Sequence, residues 1–153
     1  MVEVVRSAGG WLFDQVMAGW DVTVLTLDDS DSRPLQILGA RVRDLETTLA
    51  MPVLGPCLSA VAVRADLYDS DPRVRRMVLT AFDEGLAEIR FWGDLRPEDL
   101  DGGADPVRHR LSVAARAFKA QALAAAAAPA GPNADIEVFR RGDVRHPSPI
   151  PVR

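Results

Sequence analysis

A short apolar run closed by Asp-Ser-Asp and followed by an amphipathic segment occurs twice in this chain. Val22–Leu27 leads into Asp29-Ser30-Asp31, and Leu58–Val63 leads on to Asp69-Ser70-Asp71. Strand-like and helix-like periodicities that alternate along one chain restrict the fold to a sheet covered by helices, since each element must bury an apolar face against the other. Both runs are apolar on both faces at their centres, as strands covered by helices are.

The flanking segments fill in the order. Val2, Val5, Gly9, Leu12 and Val16 recur at helical steps, although Gly9-Gly10 weakens a helix there by roughly 1 kcal/mol per glycine relative to alanine. Gly19 is a natural stop, because glycine takes the left-handed conformation just past a helix end. Leu35, Leu38, Val42, Leu45 and Leu49 follow at 3-4-3-4 spacing and predict a second helix, capped by Asp31 or Ser32. Asp71-Pro72 opens a third helix, with Val74, Met77, Val78, Ala81, Phe82 and Ile89 on its apolar face and an end near Phe91-Trp92-Gly93. Asp105-Pro106 repeats the device and opens a fourth, with Val107, Leu111, Ala114, Phe118 and Ala122 on one stripe. The expected fold class is α/β, a small parallel or mixed sheet with amphipathic helices packed on it in the order α-β-α-β-α-α. Residues 1–128 form one domain, and 129–153 form a proline-rich tail, flexible or partner-bound, with a short strand at 136–139.

Charge and cysteine use exclude several roles. The formal net charge is −4, so no global basic field draws the chain onto nucleic acid or an acidic membrane. The single cysteine, Cys57, allows no internal disulfide, and the first residues lack the basic start and apolar core of a secretion signal. Leu49–Val63 is broken by Pro52 and Pro56 and is too short to span a bilayer. Cytoplasmic residence is the default expectation.

Candidate sites fall into three groups. Asp28, Asp29, Asp66 and Asp69 would meet beyond the carboxyl ends of parallel strands, where open α/β sheets bind ligands, and carboxylates there suit a divalent cation. The plainer account is that these acids cap helices and are balanced by Arg33, Arg73, Arg75 and Arg76. Arg73, Arg75 and Arg76 oppose the positive end of a helix macrodipole, which calls for neighbouring carboxylates or an anionic ligand. Trp11, Trp20 and Trp92 lie at element boundaries, and Arg108, Arg116 and Lys119 share a helix face with Ser112, so both sets are candidates for an interface.

Other chemistries lack their signatures. There is no G-x-x-x-x-G-K-[ST] cradle, and Lys119, the only lysine, lies far from the acids. His109, placed on the fourth helix, and His146 have no histidine partner one turn away, and no G-x-S-x-G turn presents a serine. Two strands alone cannot bury four amphipathic helices. The reading that follows is a non-catalytic adaptor or regulatory protein, a homo-oligomer or bound to a protein partner, with no cofactor. The alternatives are a divalent-metal phosphate-ester enzyme using the aspartates, and an anion- or nucleotide-binding module using the arginines.

Overall fold

The computed structural model describes residues 1–27, 31–50, 60–83, 88–93, 106–129, 131 and 134–141. In chain order the elements are α1 (Val2–Met17), β1 (Thr23–Thr26), α2 (Arg33–Ile37), β2 (Arg41–Asp44), α3 (Leu45–Leu49), β3 (Ala60–Arg64), α4 (Ala65–Ser70), α5 (Pro72–Asp83), β4 (Glu88–Trp92), β5 (Pro106–Arg110), α6 (Val113–Ala125) and β6 (Ile136–Arg141). The architecture is mixed α/β with small parallel and mixed sheets, as the alternating pattern requires. The chain divides into two units, Met1–Pro52 with Arg108–Val138, and Val53–Val107 with Phe139–Arg153.

In the first unit, α1 runs unbroken through Gly9-Gly10 and ends where expected. Gly19, at φ 92°, donates to the Val16 carbonyl, and Trp20 donates to Gln15, the paired bonds that close a helix on a left-handed residue. β1 then pairs in parallel with β2, from Thr23 opposite Arg41 to Thr26 opposite Asp44. That strand stands where the 3-4-3-4 leucine spacing predicts helix. The same closing motif explains the difference. Gly39, at φ 79°, donates to Gln36, Ala40 donates to Leu35, and the helix stops after one turn. Val42 therefore lies on a strand. A new helix, α3, begins only when Asp44 accepts from the Thr47 amide and hydroxyl, both at 2.7 Å.

The last helix is displaced in the same way. Pro106–Arg110 is strand rather than first turn, and Ser112, accepting from the Ala115 amide at 3.0 Å, is the cap that starts α6. Its buried stripe is Ala115, Lys119 and Ala122, while Val113 and Phe118 are exposed. Of the stripe expected to be apolar, Leu111 and Ala122 are buried but Ala114 and Phe118 are exposed, and of the face expected to be solvated only Lys119 is turned inward. α1 and α2 both pack on α6, around Val5, Trp11, Leu12, Leu35, Leu38 and Leu111. β6 covers the expected strand at 136–139 and neighbours β5 in the sheet.

In the second unit, β3 and β4 are parallel from Ala60 opposite Glu88 to Arg64 opposite Trp92, and Arg140–Arg141 of β6 pair antiparallel with β4. Residues 88–92 are thus strand and not the end of the third helix, which stops at Asp83. Tyr68 meets Phe91 edge to face at 5.2 Å, and Val63, Val74, Val78 and Phe139 complete this core. Among the described residues no helix is long and apolar enough to cross a membrane.

Candidate functional site

The first unit brings together three polar side chains that are remote in sequence. Asp14 lies one turn from the end of α1, His109 is the fourth residue of β5, and Ser112 caps α6. His109 Nε2 and Asp14 Oδ2 are 2.8 Å apart. The Ser112 hydroxyl donates to Asp14 Oδ1 at 2.6 Å, and the Ser112 amide donates to Oδ2 at 3.2 Å. Burial pushes the Asp14 carboxyl up, but the hydrogen bonds from Ser112 and His109 outweigh it and hold the group below its ordinary value.

An ionised Asp14 can only accept, so the hydrogen-bond pattern assigns a proton to His109 Nε2, and in the neutral imidazole Nδ1 then carries the lone pair. The order of contacts matters. Serine and histidine both point at the aspartate, so Ser112 is spent on the carboxylate and is not activated as a nucleophile. The arrangement supplies an imidazole of fixed tautomer, suited to taking and returning a proton.

A second network is buried in the same unit. Glu137 of β6 accepts from the amides of Gly10 and Trp11, each at 2.8 Å, and from Lys119 Nζ at 2.7 Å. Lys119 Nζ also donates to the Arg6 carbonyl at 2.7 Å. Lys119 and Glu137 are 2% and 3% exposed, so both charges are buried and satisfied by each other and by α1.

The residues singled out by sequence are distributed differently. Asp28 and Asp29 lie outside the described residues, as do Cys57, His146 and the acidic loop 94–105. Asp66 accepts from both Arg64 Nε and Nη2, which holds its carboxyl below the ordinary value. Asp69 lies 3.7 Å from Arg75, and Asp71 pairs with Arg73 at 2.9 Å. The acids of the second unit thus act as helix-end acceptors with their own arginines, and among the described residues no three His, Cys, Asp or Glu side chains are grouped as metal ligands would be. Arg73 and Arg75 are engaged in those pairs, Arg75 also lying over the Tyr68 ring at 5.2 Å, while Arg76 is exposed.

Of the interface candidates, Trp11, Trp92 and Lys119 are buried and offer no surface; Trp20 is exposed, as is Arg108. Arg116 reaches Asp135 at 3.0 Å. His109 lies on a strand and not a helix, and its partner is an aspartate 95 residues earlier. No local spacing could have signalled that contact. The one legible hint is Ser112, a capping type three residues before an alanine-rich helical run.

No family model and no curated protein matches the chain. Two solved structures share its fold. One is a triple mutant of a deacetylase involved in the teicoplanin biosynthetic pathway, at TM-score 0.61 and 15% identity, covering 95% of this chain and 95% of that one. The other is Dbv21, the A40926 pseudoaglycone deacetylase, at TM-score 0.54 and 17% identity, covering 90% of this chain and 91% of that one. These likenesses overturn the reading of a non-catalytic adaptor or regulatory protein. Among the described residues there are also six strands, not the two on which that reading leaned. Over nearly its whole length, the chain has a fold used by deacetylating enzymes.

Proposed function

We propose that the chain is a hydrolase that removes an acyl group from a substrate amide, with His109 moving the proton and Asp14 orienting it. The observation that carries this reading is the 2.8 Å contact between His109 and an ionised Asp14, on a fold shared with two proteins named as deacetylases. Asp14 aligns the imidazole and fixes which ring nitrogen faces it.

In the forward direction, a water oxygen bonds to the substrate carbonyl carbon as His109 Nδ1 takes the water proton. The tetrahedral intermediate then expels the amine, and the carbon–nitrogen bond breaks as the imidazolium returns that proton to nitrogen. The products are a carboxylic acid and a free amine. His109 is the catalytic residue, and Asp14 and Ser112 are positioning residues that act through it.

The test is acetate release from a panel of N-acetylated amino sugars and N-acetylated peptides. The wild-type chain should hydrolyse at least one of them, and His109→Ala should lose on the order of 10²-fold or more in kcat. No release from any member of the panel, or full activity in His109→Ala, would overturn the proposal.

A further inference from the structure

Inside α1, the amides of Gly10 and Trp11 would ordinarily donate along the helix to the carbonyls of Arg6 and Ser7, four residues earlier. Side chains from two other elements meet them there. Glu137 of β6 receives both amides, and Lys119 of α6 donates to the Arg6 carbonyl. The intrusion sits at Gly9-Gly10, where α1 carries no side chain to shield its backbone. A Cβ on Gly10 would lie 2.2 Å from Leu111 Cδ2, so only glycine lets the β5–α6 junction approach so closely.

This grip has a direction. Asp14 follows Gly10 by one helical turn, and Leu111 lies between His109 and Ser112 in sequence. Leu111 in turn donates its amide to the Asp135 carbonyl at 2.9 Å, tying the junction to the residues that lead into Glu137. The segments holding Asp14, His109 and Ser112 are therefore clamped together at one level, and Lys119–Glu137 is the clamp. A helix gripped only by apolar contacts can slide or rotate, and one residue of slip is 1.5 Å of rise and about 100° of rotation. Contacts of 2.6 and 2.8 Å at Asp14 would not survive it.

We infer that Lys119 and Glu137 are positioning residues, a buried ion pair that sets the register of α1 and so holds Asp14 against His109. The catalytic consequence rests on the hydrolase reading above; the positional consequence does not. The pair touches no substrate. It acts only through the backbone of α1.

The experiment compares the double variant Lys119→Met/Glu137→Leu, which keeps apolar packing but loses the grip, with Leu35→Ala, a core variant in α2 that loses stability but leaves Lys119 and Glu137 in place. Ring-nitrogen NMR of His109 reads its tautomer without any substrate. The double variant should replace the single Nε2–H tautomer by a mixture, whereas Leu35→Ala should retain it. In the acetate assay, the double variant should lose on the order of 10²-fold in kcat with KM little changed, since misplacement of about 1 Å is enough for that. If the double variant does not fold, Glu137→Gln is read in the same way. An unchanged tautomer in the clamp variants, or equal loss of it in Leu35→Ala, overturns the inference. If the wild type releases no acetate but the tautomer responds as stated, the hydrolase reading falls and the clamp stands.

Discussion

In the second unit, acids and arginines find each other locally: Asp66 with Arg64, Asp71 with Arg73, and Asp69 with Arg75, all within about two turns of chain. These pairs are partly exposed and sit at helix ends. In the first unit the partners are remote, with His109 and Asp14 separated by 95 positions, Ser112 and Asp14 by 98, and Gly10 and Glu137 by 127. Lys119–Glu137 is nearer in sequence, at 18 positions, but is wholly buried. The two arrangements do different work. Local exposed pairs finish a helix and cost little to lose, whereas remote buried ones specify how whole elements meet.

The contrast can be broken most directly at Lys119. Lys119→Ala leaves Glu137 charged, buried and without its cation, and should cost about 3–5 kcal/mol in denaturant melts. Lys119→Met/Glu137→Leu should recover most of that loss, because an apolar pair of similar volume needs no desolvation. A single variant no worse than the double one would show that the buried pair is not a mutual requirement.

Asp14 tests the next level down. Its folded carboxyl lies below the ordinary value, so its ionised form stabilises the fold above that value, about 3.9, and the contribution is lost as pH falls through the lowered folded value. Asp14→Asn should therefore cost about 1.5–3 kcal/mol near neutrality, the range for hydrogen bonds to a charged group. The Tm gap from wild type should close as the pH drops below about 4. A gap that widened on acidification would reverse the assignment.

The smallest effect belongs to the second unit. Arg64→Ala should cost no more than about 1 kcal/mol at low salt, and the difference should shrink towards zero in 1 M salt, where exposed pairs are screened. A salt-independent loss comparable with that at Lys119 would erase the distinction between the units.

Which parts of this were legible beforehand follows the same division. Gly19 announced the end of α1, and Val22–Leu27 contains β1, because both signals act within a few residues. Gly39 was equally local, but the leucine spacing around it imitates a helix, and one left-handed glycine outweighed five well-spaced apolar residues. Asp105-Pro106 likewise resembles a helix start, yet Ser112 caps α6, and the intervening residues serve as β5. Lys119 looked like a solvated cation, since nothing within its own helix shows that a glutamate on a later strand will take its charge.

From the residues alone came the α/β class, the turn that closes α1 and the self-contained acid–arginine pairs, because each depends on steric or hydrogen-bond preferences confined to a few neighbours. Tertiary structure decided which face of α6 is buried, where the fourth helix begins, and that Asp14, His109 and Ser112 converge. Those outcomes depend on partners up to 127 positions apart, and only closure of the intervening chain brings them within the 3 Å over which a hydrogen bond acts.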